Sequence, residues 1–279
     1  MTRNQKVALA WCIVVVALGA ASSILNKRVA VEAKGVVAPR FEVDPFWPKP
    51  LPNHWVMGMT IGVSVDAQDH VWIVHRSGSN DPGEQHAATN PPMAECCAPA
   101  PPVLEFDQSG TLLRHWGGPG EGYDWPNSNH GITIDYKGNV WIGGNGRGQP
   151  PGSPSRSGRG PALEEGQTDL VGYWNDNMVL KFTQDGKFLN QIGKPNHTKG
   201  SNDVENLRLP AKTFVDPKTD ELYVADGYGN HRVIVYDAQT GKYKRHWGAY
   251  GHKPDDTNLG RYNPDAPPAQ QFRNPVHCA

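Results

Sequence analysis

One pattern of residues occurs three times in this chain, and it leaves few folds open. In each copy a short apolar strand ends in Asp. A turn, a second strand and a third strand follow, and the copy stops at Trp-Gly or Ile-Gly. The first copy holds Gly62-Val63-Ser64-Val65-Asp66, Val71-Trp72-Ile73-Val74 and Val103-Leu104-Glu105-Phe106-Asp107, and closes over Leu112 to Gly117. The second holds Gly131-Ile132-Thr133-Ile134-Asp135, Val140-Trp141-Ile142 and Met178-Val179-Leu180-Lys181-Phe182, and closes over Phe188 to Gly193. The third holds Thr213-Phe214-Val215-Asp216, Glu221-Leu222-Tyr223-Val224 and Val233-Ile234-Val235-Tyr236, and closes over Tyr243 to Gly248. Four short strands at this period form a propeller blade, because a sheet this small buries its faces only against further copies of itself.

The expected fold class is therefore all-β: a β-propeller of three complete four-stranded blades plus the start of a fourth. The blades run over residues 55–117, 125–193 and 207–248, and the next one starts at 272. Closed rings carry about four to eight blades. The expectation is a truncated ring, or one completed by association. Two polar stretches interrupt the blades at 77–102 and 143–169 and carry no apolar periodicity, so they read as excursions from the sheets. Gly (31) and Pro (25) together make about a fifth of the chain, which suits many turns and excludes a helical protein.

Residues 1–28 read as a targeting segment. Arg3 and Lys6 precede the apolar run Val7 to Ala21, and small residues follow at Gly19 to Ser23. Two outcomes stay open: a signal peptide cut near Ala21 or Ser23, or an uncleaved N-terminal membrane anchor reaching Leu25 before Asn26-Lys27-Arg28. Either one exports the body, so the expected location is periplasmic or secreted, with membrane contact only through this segment. Residues 29–54 read as a linker and ring-closing strand, with Phe41 to Pro48 as the extra strand. The 27 basic and 28 acidic residues leave a net charge of −1, which excludes a binder driven by phosphate neutralisation, so no nucleic-acid partner is expected.

Cys12 lies in the targeting segment, leaving Cys96, Cys97 and Cys278 for the body. The adjacent pair is either a vicinal disulfide or two reduced thiols, and its spacing is not that of a zinc knuckle. His54, His75, His86, His115, His197, His246 and His252 show no ligand-like spacing. Trp116 and Trp247 recur before Gly at one blade position and read as packing residues.

Asp226-Gly227-Tyr228-Gly229-Asn230-His231-Arg232-Val233-Ile234-Val235-Tyr236 resembles the NHL repeat. Within that group the chain is most similar to peptidyl-α-hydroxyglycine α-amidating lyase, a six-bladed propeller, and its bacterial relatives. The matching stretches are Trp72 to Arg76, Asn129 to Asp135, Ala225 to Asn230, and Asn274-Pro275-Val276-His277. The resemblance implies a zinc ion held in the central channel by one His from each of three blades. His130 and His277 take two of these places, and the third would lie beyond Ala279. It also implies Arg76 and Tyr228 as catalytic residues beside the metal. A structural calcium would take backbone carbonyls, those of Val63 and Ile132 among them. His231 belongs to the repeat itself and reads as structural. Gly229 stands where animal lyases carry a Cys, so their disulfide is missing.

That reaction splits a carbinolamide into an amide and glyoxylate. Zinc with three imidazoles keeps a fourth position open for the hydroxyl. Tyr228 would serve as base and Arg76 would meet a substrate carboxylate. The expected partner is a small peptide-like substrate, or a protein, on the central loop face. Each residue has a plainer role: His130 as an interblade hydrogen-bonding group, Tyr228 as a turn-packing ring, Arg76 as an ion-pair partner. The competing function is a non-catalytic NHL scaffold that binds a peptide or protein. A gluconolactonase-like hydrolase ranks last, because its carboxylate and Asn ligand set has no counterpart read from the sequence.

Overall fold

The computed structural model describes residues 40–147, 175–273 and 275–277. The chain divides into two compact units, Met1–Pro45 and Phe46–Ala279. Of the first, only residues 40–45 are described, so the targeting segment lies outside the description, as does most of the second polar insertion. Among the described residues no helix is long and apolar enough to cross a membrane.

Fourteen strands are described: β1 (Trp55–Val56), β2 (Met59–Val65), β3 (Val71–Arg76), β4 (Ala98–Pro99), β5 (Val103–Phe106), β6 (Leu112–Trp116), β7 (Asn129–Ile134), β8 (Val140–Gly144), β9 (Met178–Phe182), β10 (Phe188–Gly193), β11 (Lys212–Asp216), β12 (Glu221–Asp226), β13 (Arg232–Asp237) and β14 (Tyr243–Trp247). Twelve of them build three antiparallel sheets, β2-β3-β5-β6, β7-β8-β9-β10 and β11-β12-β13-β14. The chain is all-β, and each repeat of the sequence is one blade. No fourth sheet closes the ring among the described residues. Only an isolated bridge between Gly227 and Val276 stands where a further strand would start.

The terminal Asp of each first strand explains why the repeat folds as it does. Asp66 accepts the backbone N–H groups of Gln68 and His70, and Asp135 those of Lys137 and Asn139. Each closes its turn and fixes the register of the hairpin. The second carboxylate oxygen then accepts the indole N–H of the Trp six residues on: Trp72 to Asp66 at 3.0 Å, Trp141 to Asp135 at 2.9 Å. Both indoles are fully buried, so each needs that acceptor. The third blade has Leu222 at this place, and Asp216 instead holds the Lys218 N–H and the Thr219 hydroxyl.

Blades meet through apolar layers. Trp72, Val74 and Val103 of the first pack on Ile132, Val140, Ile142, Met178 and Leu180 of the second. The second meets the third through Trp141, Val179, Ile192, Val215, Leu222, Val224 and Ile234. Fully burying an aliphatic side chain of this size contributes about 1.5–3 kcal/mol, so these layers outweigh any single polar link. The first strands lie next to one another: the Ser64 hydroxyl accepts from Ile134 N–H, and the Thr133 hydroxyl donates to the Thr213 carbonyl. Trp116 reaches across to the second blade, donating its N–H to the Gln184 carbonyl and packing on Phe182. This is the packing role expected of it.

Two outer features differ from expectation. Residues 41–48 hold one turn at 45–46 and one bend at 48 rather than an added strand. Instead Trp47, Leu51, Trp55 and Met57 pack on Ile73, Leu104 and Phe106, covering the outer face of the first blade. Pro45, Pro48, Pro50 and Pro52 remove the donors that a ladder would need. The insertion at 77–102 carries three single-turn 3₁₀ helices and a disulfide between Cys96 and Cys97. It also supplies β4, which runs parallel to β1.

Replacing Asp135 with Ala orphans the Trp141 indole and two turn amides. We expect it to destabilise the protein by about 2–3 kcal/mol, measured by urea unfolding followed through tryptophan fluorescence. A loss below about 0.5 kcal/mol would show that the carboxylate merely decorates the turn.

Candidate metal centre at the central strands

His130 stands near the start of β7, where the backbone must turn tightly. Gly131 follows it with φ of 86°, and a Cβ built there would lie 2.8 Å from the Ala211 carbonyl oxygen. Only glycine tolerates both demands. The approach lets the His130 Nδ1–H donate to that same carbonyl at 3.0 Å. Since a carbonyl can only accept, the neutral ring carries its proton on Nδ1 and presents a bare Nε2. Nε2 accepts from the Tyr228 hydroxyl at 3.0 Å.

Tyr228 is brought there by the turn that follows β12. Its backbone N–H donates to Leu209 O, and the neighbouring Gly229 N–H donates to Arg208 O. His277 completes the group, because the bridge between Gly227 and Val276 delivers the residue after Val276 to the same place. The His130 and His277 rings are 5.1 Å apart, those of His130 and Tyr228 4.9 Å, and those of Tyr228 and His277 5.8 Å. Three residues separated by up to 147 positions in the sequence thus share one cluster.

Arg76 ends β3 on the neighbouring blade. Its Nε–H donates to the Asn129 carbonyl at 3.2 Å and its Nη2 to Asn145 Oδ1 at 3.1 Å. Burial holds the His130 imidazole below its ordinary value of 6.5, and the charges of His277 and Arg76 push it the same way, although its bond to Ala211 opposes them. His75, fully buried one residue before Arg76, is also lowered by burial; it is structural, accepting from Gly58 N–H and donating to the Pro101 carbonyl. His231 likewise spends its ring on the Phe272 carbonyl. Val63 and Ile132 sit on the neighbouring first strands β2 and β7; Ile132 is buried and Val63 exposed.

Sequence reasoning missed two features. Asp66, His70 and Glu105 place one potential ligand atom each within 4.8 Å of one another. The cluster sits at the turn of the first blade, and its charges are already matched: Glu105 takes His70 at 2.8 Å and Arg114 at 2.5 Å, while Asp66 takes the Trp72 indole. A cation there would have to break the hydrogen bond between His70 Nδ1 and Glu105 Oε1. His70 precedes Val71 in an otherwise ordinary turn, so nothing in its sequence setting signalled the contact. The second feature is Asp176, a fully buried carboxyl that burial pushes up to about 7 against the pull of three backbone amides and the charge of Arg76. It follows the polar insertion, where an Asp reads as one more loop residue.

No family model matches the sequence, and no curated protein matches it either. Among solved structures the chain is similar to a protein from Lactobacillus plantarum (14% identity, TM-score 0.34, 69% of this chain and 43% of that one). It is similar to a gluconolactonase from Xanthomonas campestris (14%, 0.29, 69% and 63%). It is also similar to virginiamycin B lyase from Staphylococcus aureus (14%, 0.31, 68% and 56%). The chain thus spans less than two thirds of the length of each of these structures.

The lowered His130 and His75 fix the sign of one pH dependence. Below pH 6.5 the unfolded chain takes up protons that the folded imidazoles refuse, so their contribution to stability is present above 6.5 and lost as pH falls through the folded values. The melting temperature is expected to drop between about pH 7 and pH 5, and the drop to shrink in His75→Gln. An identical slope in the variant would remove His75 from the account.

Proposed function

We propose that this chain is part of an exported propeller enzyme that binds zinc at its central strands and cleaves a carbon–nitrogen bond, as peptidyl-α-hydroxyglycine amidating lyases do. One observation carries this reading: His130 presents a bare Nε2, anchored through Nδ1 on a backbone carbonyl, 5.1 Å ring to ring from His277. An imidazole whose other nitrogen is tied to a carbonyl is the usual form of a zinc ligand. The donor chemistry fits zinc, and the chain supplies two of the three imidazoles such a site uses. A structural calcium on the Val63 and Ile132 carbonyls belongs to the same proposal.

Bound zinc would lower the pKa of a coordinated hydroxyl. The other roles fall to the chain. Having first given its own phenol proton to solvent, Tyr228 as phenolate takes the proton from the carbinolamide hydroxyl as the C–O bond gains double-bond character. The C–N bond breaks, and the proton passes to the departing amide nitrogen, so the step needs no oxidant. Arg76, held by Asn129 and Asn145, sets a fixed positive charge beside His130 for the carboxylate that becomes glyoxylate.

The geometry adds a constraint. The Nε2 lone pair of His130 cannot accept from a phenol and ligate a metal together. Metal binding therefore requires the Tyr228 hydroxyl to let go of His130, and the phenol must then lose its proton before it can act as base.

Titration of Zn²⁺ into the full chain separates the readings. His130→Ala is expected to weaken binding about tenfold or more, whereas Tyr228→Phe, which frees Nε2, should bind at least as tightly as the parent. Equal zinc affinity in the parent and His130→Ala would sink the metal site and leave the non-catalytic scaffold as the better description.

A further inference from the structure

The carboxylate of Asp176 has no part in the chemistry above, yet its surroundings are built for it. One oxygen accepts the Asn127 N–H at 2.7 Å; the other accepts those of Ser128 at 2.9 Å and Gly146 at 2.7 Å. Its main chain adds two links, from its own N–H to Gly146 O and from Leu209 N–H to its carbonyl. The space is reserved by the sequence: a Cβ at Gly144 or at Gly146 would fall 2.6 Å from Asp176 Oδ2. Residues 127–128 lead into β7, which bears His130, and residue 146 lies just past the end of β8.

Both of those loops reach Arg76. Asn145, between Gly144 and Gly146, donates its N–H to Ser128 O, and its side-chain oxygen accepts from the Ser128 hydroxyl and from Arg76 Nη2. Asn129, next to Ser128, gives its carbonyl to Arg76 Nε–H. Asn129 also donates its side-chain amide to the His75 carbonyl, which joins the same loop to β3.

We infer that Asp176 is a positioning residue for the central site, its carboxylate clamping the loop before β7 to the loop after β8 and so fixing Arg76 and His130. The inference rests on the site reading proposed above for its function, and on the structure alone for its geometry. An acceptor-only group is required, because all three partners are donors. A carboxamide of the same volume turns an N–H₂ toward at least one of them.

The test uses Asp176→Asn, Asn145→Ala and a core control, Val215→Ala, in the full chain. The first readout is the Arg76 Nε–H proton in ¹⁵N NMR, assigned by its disappearance in Arg76→Lys. Its exchange with solvent should be about tenfold faster or more in Asp176→Asn and in Asn145→Ala, and unchanged in Val215→Ala. The second is Zn²⁺ affinity, expected to fall about tenfold in Asp176→Asn, the lower end for outer ligands of metal sites. Asn145→Ala leaves the carboxylate and its three amides in place, so it reports on the relay even if Asp176→Asn does not fold. Unchanged Arg76 exchange in Asn145→Ala, or in a folded Asp176→Asn, overturns the inference. Should the parent chain bind no zinc, the metal reading fails, while the Arg76 exchange still decides the role of Asp176.

Discussion

A four-stranded sheet of five-residue strands has two faces and too little depth to hide either alone. Each sheet here solves that problem by lying on its neighbour, and the apolar layer between blades is the interaction on which the rest depends. Trp72, Ile142, Met178 and Leu180 in one layer, and Trp141, Leu222, Val224 and Ile234 in the next, are nearly or wholly removed from water. The shared central site follows from that stacking, because it joins side chains of neighbouring blades. Where no neighbour lies, apolar side chains stay wet: Val65 on β2 and Phe214 on β11 are about half exposed, and both alternate with residues that touch the second blade.

Stacking also explains how the site comes together. Propeller geometry places the first strand of every blade beside the axis, so a residue at the start of one such strand meets the turns of its neighbours. His130 therefore reaches Ala211 and Tyr228, which lie 81 and 98 positions away. The cost is crowding, met by glycine: Gly62 and Gly131 sit where β2 and β7 approach, and a Cβ on Gly62 would come within 3.0 Å of the Gly131 Cα. Burial in the same crowded region keeps His130 neutral, the state a metal ligand needs.

Much of this was legible in the residues. The four-stranded propeller fold was read from the period of the apolar strands and their closing glycines, and the structure has that fold. The convergence of His130, Tyr228 and His277 had only a resemblance behind it, because nothing in local sequence tells a ring which strand it will face. Residues 41–48 misled: aromatic residues around Val43 promise a strand, but Pro45 and Pro48 break it, and Trp47 packs on the first blade instead. His70 with Glu105, and Asp176 with its three amides, carried no signal, since each pairing joins positions 30 or more apart.

The sequence by itself determined the all-β class, the three blades and the turn-closing role of Asp66 and Asp135, because strand period and turn chemistry are local and repeat. It also set the near-neutral net charge. Only the tertiary structure decided which imidazole keeps a bare nitrogen, which carboxyl is buried beneath the site, and that Arg76 is held by Asn129 and Asn145. Those outcomes depend on distances between blades, and blade spacing is set by the summed packing of apolar side chains rather than by any one segment.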